Sequence, residues 1–249
     1  MRRVLNATDT AIMREAGQAA ACILKKIGRL IKPGVCTKDI ERFFESELAR
    51  FPGMSAAFKG FSGFPAALCV SINDEVIHGI PSPDRLIAEG DLVSVDLGIK
   101  FKDLFVDTAR TYFAGRVATQ AKKLAAVCLR ALEIGIRAAR IGNTTGDIGA
   151  AIQSYVQSQG FSVVRQFVGH GIGEALHLEP EVPNFGKAGE GQRFTEGMAI
   201  AIEPMIAAGG YEIEIAADGW TARTKDRRLA AHFEHTVMIT RNGPYIITG

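Results

Sequence analysis

Leu92-Val93-Ser94-Val95-Asp96-Leu97-Gly98-Ile99-Lys100-Phe101-Lys102-Asp103-Leu104-Phe105-Val106-Asp107-Thr108-Ala109 sets two carboxylates inside two apolar runs. Both runs are rich in branched and aromatic residues and read as strands. Asp96 and Asp107 are equally far from Phe101-Lys102, so a hairpin turning there places them opposite each other. Facing carboxylates repel, and a lone buried one is costly or takes up a proton. The pair therefore asks for a positive charge between its members. These strands carry few Lys or Arg, and a divalent metal ion supplies that charge better.

Two more acids stand in similar surroundings. Glu203 follows Met198-Ala199-Ile200-Ala201-Ile202 and precedes Pro204-Met205-Ile206, and Glu234 lies in His232-Phe233-Glu234-His235-Thr236-Val237. Of five histidines, three have distinctive neighbours. His78 sits in Asn73-Asp74-Glu75-Val76-Ile77-His78-Gly79-Ile80-Pro81, and His170 and His177 sit in Gly169-His170-Gly171-Ile172-Gly173-Glu174-Ala175-Leu176-His177. Flanking glycines let the backbone turn sharply and let a ligand approach. Either motif alone reads equally well as an ordinary hydrogen-bonded histidine, and the spacing is not that of a zinc-protease helix. Four carboxylates plus one imidazole suit two adjacent divalent ions. Oxygen-rich ligation with one nitrogen favours Mn²⁺, Fe²⁺, Co²⁺ or Zn²⁺ over a thiolate zinc site. A bridged pair about 3.5–4 Å apart can activate one hydroxide for attack on an acyl carbon.

Around these strands the helical pattern occurs twice. Thr8 or Asp9 offers a cap for a helix carrying Ile12, Ala16, Ala19, Ile23 and Ile27, which Pro33-Gly34 ends; Thr37 to Asp39 then caps a helix through Leu48. Lys122 to Ala139 and Ile148 to Val156 repeat the arrangement across Gly142. Gly34, Thr37, Asp39 and Ile40 recur 108 residues later as Gly142, Thr145, Asp147 and Ile148, which suggests an internal duplication. Against it stands the general use of Gly, Thr and Asp at helix breaks and caps. Strand-like stretches follow each helix pair: Ala67 to Ile72, Asp91 to Leu97 and Leu104 to Phe113, then Ser162 to Val164, Met198 to Ile202, Tyr211 to Ile215 and Thr236 to Ile239. Two α+β halves, about 1–118 and 119–249, sharing one continuous sheet would be the economical architecture.

Composition excludes several classes. The 249 residues are 47% hydrophobic and 22% charged, too apolar for a disordered chain. With 29 Lys and Arg against 27 Asp and Glu, the net charge of +2 is too balanced for a nucleic-acid binder. The apolar runs are too short to span a bilayer, and Met1-Arg2-Arg3-Val4-Leu5-Asn6 lacks the apolar core of a targeting segment. Cys22, Cys36, Cys69 and Cys128 are scattered without a C-x-x-C pair, which fits a reduced, intracellular protein.

Taken in order, Asn73 to Pro81, Ser94 to Gly98, Asp107 to Arg110, Gly169 to His177, Ile202 to Met205, and Asp218-Gly219-Trp220-Thr221 through Glu234-His235-Thr236 resemble the type I methionine aminopeptidases, short bacterial form, of the pita-bread metalloprotease family. The resemblance covers essentially the whole chain. It implies an α+β pita-bread fold, with two pseudo-symmetric halves around a curved antiparallel sheet and a central dimetal site. It implies five metal ligands, Asp96, Asp107, His170, Glu203 and Glu234, with Asp107 and Glu234 bridging two ions (Co²⁺, Mn²⁺, Fe²⁺ or Zn²⁺). Glu203 would shuttle the proton, His177 would hydrogen-bond the scissile carbonyl, and His78 would contact the amide nitrogen. Phe61, Phe64, Cys69, Leu176 and Trp220 would line an apolar pocket for the methionine side chain. The implied activity is hydrolytic removal of the initiator methionine from peptides and nascent chains with a small second residue, by a cytoplasmic monomer without membrane or nucleic-acid partners. Contact with the ribosome stays open.

The chain has neither a long N-terminal extension nor a zinc-finger cysteine set, and only 25 residues separate His177 from Glu203, too few for the type II insertion. It departs from the family pattern at Leu176, often Phe; at Phe61 and Phe64, often Tyr; at Ser62, often larger; and at the added acid Glu174. These departures bear on pocket shape and turnover, and they leave room for a low-activity secondary copy. The competing readings are a pita-bread aminopeptidase of the Xaa-Pro type and a non-catalytic pita-bread binding protein. Because Asp96 and Asp107 come from one half and the other three ligands from the second, residues 1–249 read as a single catalytic domain.

Overall fold

The structure is a computed structural model that describes residues 5–249; the basic start, Met1 to Val4, lies outside them. Each half opens on a helix pair, α1 (Ala7–Ile27) with α2 (Thr37–Leu48) and α3 (Thr119–Ala138) with α4 (Thr145–Ser158). The cap of α1 is Asn6, not Thr8 or Asp9. Asn6 Oδ1 accepts from the Asp9 N–H and Asp9 Oδ2 accepts from the Asn6 N–H, both at 3.0 Å, closing a capping box. Thr144 and Asp147 close the same box on α4. Gly34 and Gly142 both take left-handed backbone, at φ +88° and +91°. Beyond them the Thr37 N–H donates to Arg85 C=O and the Thr145 N–H to Gln192 C=O, while Gly34 and Gly142 donate to Ile87 and Phe194. Two entries into a helix thus share one hydrogen-bond plan.

The first half carries β1 (Met54–Ala56), β2 (Cys69–Ile72), β3 (Glu75–Ile77), β4 (Leu92–Phe101) and β5 (Leu104–Phe113). The second carries β6 (Ser162–Val163), β7 (Gly169–Gly171), β8 (Leu178–Val182), β9 (Ala199–Ile202), β10 (Met205–Ala207), β11 (Ile213–Ile215), β12 (Ala222–Thr224), β13 (Ala230–His232), β14 (His235–Thr240) and β15 (Gly243–Ile246). The ladders form four antiparallel sheets, not one continuous sheet. β1-β4-β2 with β5 on β4 serves the first half and β15-β14-β9-β7-β8 the second, with β13-β10-β6 and β11-β12-β3 as smaller layers. The last of these crosses the halves, since β3 pairs with β12.

Helices α1 and α2 cover the first sheet. Met13, Ile23, Ile27, Ile40 and Phe44 pack in one cluster with Val93, Val95, Leu97 and Ile99, all fully buried. On the other side Leu124, Cys128, Leu132, Ile148 and Ile152 pack with Ile200, Ile202, Val237 and Ile239. At about 1.5–3 kcal/mol for each large side chain, this burial makes both sheets rigid platforms. No helix among the described residues is long and apolar enough to cross a membrane.

The hairpin turns one residue later than its symmetry suggests. Lys102 and Asp103 both adopt left-handed backbone, at φ +47° and +62°, the two-residue turn that matches strand twist. Phe101 therefore pairs with Leu104, Asp96 with Ala109, and Asp107 with Gly98. The two acids are diagonal neighbours, not directly opposite. Shifting the turn by one residue moves the register by two, so both side chains stay on one face.

Candidate metal centre

A polar seam joins the halves where the main ladders stop. The Ala109 and Glu234 backbones exchange hydrogen bonds, N–H to C=O, at 3.4 and 2.9 Å. On one side Thr236 Oγ1 accepts from the Asp107 N–H and donates to Asp107 C=O, both at 2.8 Å. On the other, Thr111 Oγ1 accepts from the His232 N–H at 3.0 Å and donates to His232 C=O at 2.9 Å. The Thr108 hydroxyl adds a bond to Glu234 C=O at 2.9 Å. Threonine hydroxyls extend the antiparallel pairing where the strands have spread too far for direct bonds. The result sets β5, which carries Asp107, beside the segment that carries Glu234.

The acids gather around this seam. Asp96 comes from β4, Glu203 from the residue after β9, and His170 from β7. Ligand atoms of Asp107, His170 and Glu234 lie within 4.8 Å of one another, and His170 Nε2 is 3.5 Å from Glu203 Oε1. All four acids are 9% exposed or less. Burial pushes Asp96 up to about 7 and Glu203 up to about 8. Burial first, and then neighbouring carboxylates, push Asp107 and Glu234 well above the ordinary range. Asp96 Oδ1 and Glu234 Oε1 are buried without a hydrogen-bond partner. Such a cluster needs either shared protons or a cation. Four buried carboxylates, two of them with an orphaned oxygen, and one imidazole aimed among them fit divalent metal ions, which would satisfy the orphans and replace the protons.

His170 is pre-aimed. Its Nδ1 lies 2.9 Å from the Gly171 C=O, which can only accept, so Nδ1 carries the hydrogen and Nε2 is left for the acids. The flanking glycines serve strand packing more than turning. A Cβ on Gly169 would sit 2.3 Å from Ala201 C=O, and one on Gly171 2.2 Å from Glu179 C=O. Neighbouring strands thus clamp the histidine between them.

One cavity of about 290 Å³ is lined by Asp96, Asp107, His170, Glu203 and Glu234 together with His78 and His177. Phe61, Phe64, Cys69, Leu176 and Trp220 form its apolar wall. Every residue singled out as ligand, catalyst or pocket is therefore in one place. His177 meets the His170 ring edge-on at 4.4 Å and Phe61 at 5.1 Å, and Phe64 meets Trp220 at 5.2 Å. Asp218 holds Trp220 in a turn: its Oδ1 accepts from the Trp220 and Thr221 N–H groups, both at 2.9 Å. His78 sits against Phe167 in left-handed backbone (φ +59°), a strain typical of functional positions. Burial holds His78 and His170 down to about 4, and lowers His177 too. Neutral imidazoles thus face the cavity at neutral pH.

Ser62 and Phe58 also line the cavity, whereas Glu174 lines a smaller one of about 100 Å³ beside Leu5 and Pro180. Reading the sequence passes over His232. It is buried at 1% exposure with Nε2 3.7 Å from Glu203 Oε2. Its one sequence signal is an imidazole two residues before Glu234 in an apolar run.

Known proteins are similar to this chain in sequence and fold. Residues 11–241 match the model of metallopeptidase family M24. A methionine aminopeptidase of Clostridium acetobutylicum is 44% identical over 245 residues, 98% of each chain. The crystal structure of a methionine aminopeptidase from Thermotoga maritima superposes with a TM-score of 0.98 at 40% identity, covering 100% of this chain and 99% of that one. The prolidase of Pyrococcus horikoshii has a TM-score of 0.80 at 22% identity, with 64% of its length covered, and shares the fold alone. The expected pita-bread fold is the fold of these structures. The chain belongs to metallopeptidase family M24 and, within it, to the methionine aminopeptidases.

Proposed function

We propose that this chain removes the initiator methionine from peptides and nascent chains with a small second residue, by metal-assisted hydrolysis. The observation that carries the reading is the single cavity in which five ligand-type groups, two neutral histidines and an apolar wall converge. Asp96, Asp107, His170, Glu203 and Glu234 would hold two divalent ions (Co²⁺, Mn²⁺, Fe²⁺ or Zn²⁺). The adjacency of β5 and the Glu234 segment brings Asp107 and Glu234 to the same place. Bound there, divalent ions supply Lewis-acid charge and a nucleophilic water at neutral pH.

The remaining work falls to side chains. Glu203, at the edge of the ligand set, takes the proton from the attacking water and passes it to the departing amine. His177 donates to the scissile carbonyl and stabilises the oxyanion of the tetrahedral intermediate. His78 contacts the amide nitrogen beyond the scissile bond. Phe61, Phe64, Cys69, Leu176 and Trp220 receive the thioether, which sulfur–aromatic contacts favour. Since ligands come from both halves, 1–118 and 119–249, residues 1–249 act as one catalytic domain. The four free cysteines fit a chain working in the reducing cytoplasm, where it would act as a monomer.

Metal-depleted protein reconstituted with Mn²⁺, Fe²⁺, Co²⁺ or Zn²⁺ should cleave Met-Ala-Ser and Met-Gly peptides, and Glu203→Ala should abolish cleavage without unfolding the chain. Hydrolysis of Xaa-Pro peptides but not Met-Ala-Ser overturns the reading.

A further inference from the structure

His232 has a place in the site and no role in the chemistry above. Thr111 pins its backbone from both sides, through its N–H and its C=O. Its ring is fully enclosed, and Nε2 has no hydrogen-bond partner. Glu203 Oε2 lies 3.7 Å from that nitrogen, while Glu203 Oε1 lies 3.5 Å from His170 Nε2. The Glu203 carboxylate is thus bracketed by two imidazoles, one for each oxygen. The backbones on both sides are fixed as well. Asn184 Nδ2 donates to Glu203 C=O at 3.1 Å. The Cys128 thiol lies 3.1 Å from Pro204 C=O and 3.3 Å from Ala231 C=O, clamping the segments next to Glu203 and His232 to one point on α3. With both backbones held, a small rotation of the glutamate side chain closes the remaining gap. Catalytic hydrogen bonds are often long in ligand-free sites and tighten when the site is filled.

We propose that His232 is a positioning residue whose Nε2–H hydrogen-bonds Glu203 Oε2 and thereby turns Oε1 toward His170 and the metal-binding acids. Either protonation form of the ring can donate from Nε2, so the role needs no particular charge. Ligating carboxylates with such outer partners bind metal more tightly, and loss of the partner weakens affinity or activity by about 10–100-fold. Asp96, whose Oδ1 is also an orphan, is the competing acceptor.

The proposal rests on the metal reading above, and the test separates the two. Metal-depleted wild type, His232→Leu and His232→Gln are titrated calorimetrically with Mn²⁺, and Met-Ala-Ser turnover is measured on the loaded proteins. Failure of the wild type to bind Mn²⁺ counts against the metal reading; differences among the variants bear on His232. His232→Leu should bind Mn²⁺ about 10–100-fold more weakly and lose kcat with KM near the wild-type value. His232→Gln, which keeps an N–H donor, should recover most of both losses. In a Glu203→Gln background His232→Leu should add little, whereas in an Asp96→Asn background its full effect should persist. Circular dichroism and melting establish that each variant folds. If the leucine variant does not fold, His232→Asn, polar but too short to reach Glu203, replaces it with the same expected loss. Wild-type affinity and kcat in the variant lacking the donor overturn the proposal. So does glutamine that folds yet is as impaired as leucine, or a loss that persists without Glu203 and disappears without Asp96.

Discussion

Thr236→Val is the sharpest test of the seam that assembles the site. The side chain is fully buried, and valine nearly matches its shape, so packing changes little. What disappears is the hydroxyl, which accepts from the Asp107 N–H and donates to Asp107 C=O at 2.8 Å each. Asp107 stands opposite Gly98 on β4, but its N–H and C=O point to Thr236 in the second half, and the residue is only 4% exposed. A buried group left without its partner costs about 1–3 kcal/mol, with the carbonyl at the low end because it tolerates under-satisfaction better. The expected loss is therefore about 2–4 kcal/mol. With a urea m-value of about 3 kcal/mol/M for a chain of this size, the unfolding midpoint should fall by roughly 1 M. Thr236→Ser keeps both hydrogen bonds and loses one methyl, about 1 kcal/mol. Urea unfolding of the metal-depleted proteins, followed by tryptophan fluorescence and circular dichroism, gives the three midpoints. A valine variant within 0.5 kcal/mol of wild type, or one more stable than serine, refutes the claim that these hydroxyls hold the sheets together.

His78→Ala and His177→Ala should each lower kcat by about 10²–10³ while leaving metal stoichiometry unchanged in calorimetric titration, because both line the cavity without belonging to the ligand set. Stability of the metal-depleted protein should fall as pH rises from about 6.5 to about 8. Asp96 and Glu203 titrate near 7 and 8 in the folded chain, with Asp107 and Glu234 higher still, against ordinary values of 3.8 and 4.5, so the folded state holds the extra protons in this window. Below about 6.5 the trend should flatten. There His78, His170 and His235, held near 4 by burial, take up protons in the unfolded chain but not in the folded one, and so offset the acids. Adding Mn²⁺ should reverse the slope, since ligands must lose protons to bind metal. Melting temperatures across pH 5–8, with chelator and with Mn²⁺, check both signs, and a chelated protein that gains stability from 6.5 to 8 contradicts the assignment.

The parts legible in the sequence are those with long periods or paired chemistry. The helix pairs are readable because apolar spacing runs through 12 to 21 residues between caps. Even there the first cap falls at Asn6, because Asp9 is the distal partner of a capping box. The hairpin is legible in kind but not in register. Its turn uses Lys102 and Asp103, and neither is the glycine or asparagine that marks left-handed backbone. Strands of two to five residues, such as β6, β7 and β10, are too short to show a period. The acids of the site are legible because buried carboxylates in apolar strands are conspicuous in any sequence, whereas Phe61, Phe64, Cys69, Leu176 and Trp220 are legible only through the family resemblance. His232 is invisible there: its meaning comes from Glu203, 29 positions earlier in the chain, reached only through the packing of β10 against β13.

Why the site sits between the halves follows from the same acids. Each half offers two of them: Asp96 and Asp107 on β4 and β5, and Glu203 and Glu234 at the ends of β9 and β14. β4 pairs with β5, and β9 with β14, so each half makes the same antiparallel platform and ends it in the same chemistry. Asp96 and Glu203 stand 107 residues apart, as do Ile87 and Phe194, which receive the equivalent helix-entry hydrogen bonds. Two such carboxylates in one half would repel and stay protonated, with too little negative charge to hold the cations by themselves. The threonine seam changes that by pressing Asp107 and Glu234 together and closing His170 over them. Affinity for metal and cohesion of the halves are then one property. The ions that neutralise the acids also remove the repulsion across the seam, so metal loading should stabilise the interface of the halves more than either helix layer.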